Sequence, residues 1–88
     1  MDMTFDQAMA EKAAREMMHD AKAIRLRAVS GEPGPMGLTP DSVKMTAEWQ
    51  EAFHAERLAF AFLRRWNMYM AKHFKKELRA YYNQKRGN

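Results

Sequence analysis

No cysteine occurs in the 88 residues, so neither a disulfide nor a thiolate metal site can staple the fold, and a reducing compartment is the straightforward expectation. No apolar run approaches the roughly 18 residues a membrane span requires. The densest, Leu58 to Leu63 (LAFAFL), is stopped by Arg64 and Arg65. The opening MDMTFDQAMAEK lacks the basic-then-apolar order of a secretory leader, and a cytoplasmic location with no membrane partner is therefore expected. No GxSxG and no phosphate-cradling glycine loop is present. These absences predict a chain that is not an enzyme and holds no cofactor. Glycine and proline are missing from Ala47 through Tyr82, so nothing local interrupts a helix there, and no segment has the alternation of a strand.

The expected fold is accordingly all-α, in one domain spanning 1–88. Thr4-Phe5-Asp6-Gln7 fits a capping box, in which the threonine oxygen accepts the amide of Gln7 and the glutamine side chain reaches back. It opens a helix over 4–29, which Gly31 can terminate. Residues 30–39 (SGEPGPMGLT) form a Gly/Pro loop. Thr39 is then the expected N-cap and Pro40 the first helical residue of a long segment over 40–83, with residues 1–3 and 84–88 frayed. Thr46 offers a second capping point, so a break there, giving three helices, is the alternative to a continuous helix. The result is a helical hairpin of one helix of about 25 residues against one of up to 43, or roughly 38 Å against 64 Å at 1.5 Å per residue.

At 100° per residue, Trp49, Ala52, Ala59, Phe60, Leu63, Trp66, Met70, Phe74, Leu78 and Tyr81 fall on one wide apolar arc of the second helix. Arg57, Arg64, Lys72, Lys75, Lys76 and Arg79 fall on the other side as a basic face. Charge is unevenly placed: residues 1–56 carry ten acids and six bases, residues 57–88 nine bases and one acid. Such a cationic end suits an acidic protein surface or a nucleic acid. In the first helix Phe5, Met9, Ala13, Met17, Ala21, Ile24 and Ala28 recur at helical spacing. The spacing predicts that Phe60, Leu63, Met70 and Phe74 pack against Phe5, Met9, Met17 or Ile24. Glu16-x-x-His19 and Glu51-x-x-His54 have the i, i+3 spacing of helical metal ligands, but His54 projects onto the cationic side, and no metal is expected.

An Ala-rich first helix covers only one stripe of so wide an apolar surface. Phe62, Arg65, Trp66, Tyr69 and His73 line the edge between the apolar and basic faces, and they are the expected partner-binding residues. Trp66 is the expected anchor, and its loss should weaken binding by at least about 2 kcal/mol without a large loss of stability; the alternative, from its place on the apolar arc, is that it is the centre of the monomer core. Two partners fit: a protein captured through the aromatic edge, or a nucleic acid tracked by the basic face. The ten-residue Gly/Pro loop is too long for a helix-turn-helix, which favours the protein; a homodimer is a further possibility.

The stretch from Gly37-Leu38-Thr39-Pro40-Asp41 to the Lys72–Arg79 end resembles a type of short helical protein encoded by proteobacterial mobile elements. It is similar in size and character to the quorum-sensing antiactivators of rhizobial integrative and conjugative elements. The resemblance covers about half the chain and transfers no individual site residue. It implies binding and sequestration of a transcriptional activator, with repression of conjugative-transfer genes as the outcome.

Overall fold

The computed structural model describes residues 2–87, and among these every regular element is helical. There are four α-helices: α1 (Phe5–Ser30), α2 (Asp41–Lys44), α3 (Ala47–His73) and α4 (Lys75–Arg86). The two-helix hairpin expected from the sequence is thus subdivided. The continuous 40–83 helix is interrupted at Thr46, as in the three-helix alternative, and again at Phe74, where no break was expected. The expected frayed tail also shortens, because residues 84–86 belong to α4; Met1 and Asn88 lie outside the described residues.

Each boundary has a local cause. The capping box of α1 forms as its residues dictate: Gln7 N donates to Thr4 Oγ1 at 3.1 Å and Thr4 N to Gln7 Oε1 at 2.9 Å. Gly31 ends α1 at φ 67°, ψ −155°, a backbone conformation that side chains disfavour. Thr39 is not the N-cap of the next helix. Pro40 keeps an extended ψ of 147° and itself occupies the cap position, so α2 begins one residue late and lasts a single turn. Thr46 then starts α3, accepting Trp49 N at 3.2 Å while donating its hydroxyl to Val43 O at 2.7 Å. At Phe74 the backbone leaves helical geometry (φ −129°, ψ 34°) without glycine or proline. Tertiary packing accounts for it: the bend brings Phe74 to 5.8 Å and Tyr81 to 6.4 Å from Phe5, ring centre to ring centre, so α4 wraps the N-terminal end of α1. The two breaks trim α3 to 27 residues against 26 in α1, which removes the length mismatch expected from the sequence.

α1 and α3 run antiparallel, and four hydrogen bonds between them set the register. Trp66 Nε1 donates to Ala8 O at 3.0 Å, Arg15 Nη1 to Phe62 O at 2.9 Å, and Trp49 Nε1 to Ser30 Oγ at 3.0 Å; His19 Nε2 is hydrogen-bonded to Glu56 Oε2 at 2.7 Å. Among the described residues the buried apolar ones are Ala8, Ala52, Ala59 and Met70; three of the four are alanines, whose small side chains allow close approach of the backbones.

The expected packing is only partly realised. Met70 is buried, Leu63 and Phe74 are half-buried, and Phe5 meets Phe74. Phe60 is 37% exposed and lies against His19. Met17 and Ile24 are 71% and 63% exposed, and Ala13, Ala21 and Ala28 face solvent with them. The face of α1 turned to α3 instead runs through Phe5, Ala8, Arg15, His19 and Leu26. The physical reason lies on α3, which presents a carboxylate and two indole N–H groups to its neighbour. Glu56 and Trp49 take side-chain partners, His19 and Ser30, which the stripe of Ala, Met and Ile does not offer; the Trp66 N–H takes the backbone carbonyl of Ala8.

One loop residue is strained. Met36 holds φ 64°, ψ 18° and is 93% exposed, so it occupies the left-handed region with no packing in return. Met36→Gly should relieve this and raise stability by about 0.5–1 kcal/mol, net of the greater freedom glycine gives the unfolded chain. A higher urea midpoint with an unchanged m-value is the expected reading.

Candidate protein interface

The sequence-predicted edge residues share one side of α3 but differ in what they touch. Phe62 and Tyr69 are 41% and 39% exposed, and Arg65 and His73 are exposed as well. Trp66 is half-buried, and its surroundings are internal. Its N–H is held by Ala8 O, the Arg15 guanidinium lies 4.8 Å from its ring centre, and Tyr69 stacks on it at 4.9 Å. Tyr69 in turn meets His73 at 4.4 Å, so a ladder of rings runs from the α1–α3 seam out to the surface. His73 forms the exposed end of that ladder.

Two residues not singled out from the sequence extend the edge. Leu58, one turn before Phe62, is 57% exposed, and Met18 of α1 is 53% exposed. Between the helices Glu11, Arg15, Met18, Ala59 and Phe62 line an open groove of about 260 Å³. Leu58 was detectable from its i, i+4 spacing to Phe62; Met18 was not, because the expected phase of α1 placed a different stripe inward.

The basic residues do not form one uniform face. Arg57 gives its guanidinium to Glu56, at 2.7 Å from Nε and 3.1 Å from Nη2, and lies over the rings of Phe53 and Phe60. Arg64 also lies over Phe60, at 5.9 Å. Arg65 and Arg64 border a shallow depression with Ala61 and Met68. Lys72 is exposed near the end of α3, whereas Lys75, Lys76 and Arg79 belong to α4, beyond the bend.

Behind the edge sits the ion pair that the sequence did not reveal. Glu56 is 6% exposed and is held between His19 of α1 and Arg57 of its own helix. The hydrogen bond from Arg57 is the main influence holding its carboxyl below the ordinary value of 4.5; burial opposes this and His19 adds to it. A signal was present: Glu56 is an acid inside the apolar arc of α3, and such a residue requires a partner. The Glu-x-x-His pairs part company. Glu16 accepts from Lys12 at 3.1 Å while His19 turns to Glu56, and His54 lies against Phe53. Among the described residues no group of three or more His, Asp or Glu is arranged to hold a metal ion, and no helix is long and apolar enough to cross a membrane. Comparison with family models, curated proteins and solved structures returns no match for this chain.

Proposed function

We propose that the chain is a non-enzymatic helical regulator that captures a protein partner, a transcriptional activator, along the α3 edge formed by Leu58, Phe62, Arg65, Tyr69 and His73. The observation that carries this reading is the surface left open. The chain exposes 7131 Å², roughly a third more than the 5,400 Å² or so expected of a folded monomer of 10.3 kDa. Its radius of gyration is 17.4 Å, against about 12 Å for a compact chain of this length. Leu58, Phe62 and Tyr69 are large apolar side chains left exposed along that edge, and tyrosine and arginine are frequent anchors of protein interfaces. Because Trp66 already serves α1, Phe62 and Tyr69 take the anchoring role, and the groove beside Met18 receives an apolar side chain of the partner.

The test is a pull-down from the native host after nuclease treatment, with bound protein identified by mass spectrometry. The wild-type chain should retain an activator. Phe62→Ala combined with Tyr69→Ala should weaken the purified complex by at least about 2 kcal/mol, or roughly thirtyfold. Neither substitution should remove the helical circular-dichroism signal. Loss of all bound material to nuclease, together with sensitivity to reversal of Lys75, Lys76 and Arg79, would favour the nucleic-acid reading instead.

A further inference from the structure

Apolar side chains on the outer side of α1 have no role in the hairpin. Met17 and Ile24 there are 71% and 63% exposed, although a β-branched isoleucine on a solvated helix face contributes neither packing nor helix propensity. With Ala10, Ala14, Ala21 and Ala28 they recur at intervals of 4, 3, 4, 3 and 4, the seven-residue repeat of a coiled-coil seam. The seam lies opposite the His19 and Leu26 side that meets α3, so it is fully available.

We propose that this face is a self-association surface, on which α1 of one copy pairs antiparallel with α1 of a second. The chain's own pattern selects that occupant. In the antiparallel register centred at residue 19, Ala14 lies opposite the partner's Ile24, Met17 opposite the partner's Ala21, and Ala10 opposite the partner's Ala28. Each long side chain of the middle layers therefore faces an alanine, and the helices keep an even, close separation. A parallel pair would set Ile24 on Ile24 and Ala21 on Ala21, alternating wide and empty layers. The antiparallel pair also opposes the helix dipoles. Along one flank it brings Glu11 beside the partner's Arg25, twice by symmetry. Glu11 uses one carboxylate oxygen for Arg15, at 2.8 Å, and the second is available. One contact acts against the pair: Asp20 faces its own copy across the axis.

The open surface is sufficient for this. An excess of roughly 1,800 Å² over a folded monomer of this mass is about twice the 800 Å² that each side gives to a standard interface. The dimer would thus present two capture edges. It rests on Met17 and Ile24, whereas capture rests on Phe62 and Tyr69, so the two fail separately, although Glu11 and Met18 border both surfaces.

Sedimentation equilibrium from about 10 µM to 1 mM spans the affinities that a single helix pair provides. The expected result is a reversible rise from 10.3 kDa to twice that mass. Met17→Glu with Ile24→Glu should hold the chain at monomer mass with unchanged helicity, and Asp20→Asn should tighten association by roughly two- to fivefold. Since the chain has no cysteine, one introduced thiol reports the register. Met18→Cys, beside the axis, should oxidise to a linked dimer, whereas Ala10→Cys, far from its own copy, should not. Monomer mass throughout the range, a dimer indifferent to the two glutamates, or linkage at position 10 instead of 18 would each overturn the proposal.

Discussion

Trp66→Ala should lower the stability of the chain by about 3 kcal/mol, the lower end of the range for removing a packed tryptophan. Three losses combine. The indole ring vacates the space between Tyr69 and Arg15, which lie 4.9 Å and 4.8 Å from its centre. Its N–H no longer ties α3 to Ala8 at the fully buried point of α1. The Arg15 guanidinium, which also donates to Phe62 O, loses the surface it rests on. A domain of this length has about 4–13 kcal/mol in total, so much of the folded margin would go. Trp66→Phe separates the contributions: it keeps most of the ring and should cost about 1 kcal/mol, the net worth of the hydrogen bond. Chemical denaturation of both variants measures this directly. A Trp66→Ala chain with an unmoved urea midpoint and abolished partner binding would restore the indole to the role of binding anchor expected from the sequence.

Trp66 also shows where a helical sequence is legible and where it is not. The phase of α3 could be read because its apolar arc is wide: Ala52, Ala59 and Met70 are buried where 100° steps place them, and Leu63, Trp66 and Phe74 are half-buried beside them. Caps were legible at Thr4 and Thr46, where a hydroxyl has a specific amide to bind three residues on. The phase of α1 was misread because it carries two stripes. The more apolar one, through Met17 and Ile24, faces out; the stripe facing α3 is mixed, with Arg15 and His19 in its middle. Hydrophobicity ranks those stripes in the wrong order. What decides is the demand for side-chain partners from Glu56 and Trp49, a property of the other helix. The bend at Phe74 was illegible for a similar reason, since nothing in Lys72 to Leu78 disfavours a helix and only Phe5, distant in sequence, draws the ring aside. That Phe62, Arg65, Tyr69 and His73 share one exposed side of α3 was legible from spacing alone. The groove beside them was not, because Met18 and Arg15 arrive from α1.

Acid should unfold the wild-type chain more readily than a Glu56→Gln variant loses its own stability over the same pH range. Arg57, then His19, holds the Glu56 carboxyl below 4.5 in the folded state, while in the unfolded chain it returns to the ordinary range. The sign follows from proton uptake. Between the two values the unfolded chain binds a proton that the folded chain refuses, so acidification favours unfolding. The stabilisation is complete above the unfolded value, begins to fade as pH drops through it, and is gone once pH falls below the folded value. The magnitude is moderate. Glu56 is enclosed by His19 and Arg57 and not by depth, for the molecule is only 17 Å across its thinnest dimension and Arg57 is itself 56% exposed in its side chain. Solvent close by screens the pair. At pH 7, Glu56→Gln should therefore cost about 1–2 kcal/mol, the worth of a charge-assisted hydrogen bond, rather than the larger penalty of breaking a deeply buried pair. Thermal melts of both chains from pH 7 down to pH 3 would read the effect. The wild-type melting temperature should fall towards that of the variant as pH passes below 4.5, and the two curves should converge. A constant gap between them across that range would mean that Glu56 supports the hairpin through packing, with its charge contributing nothing.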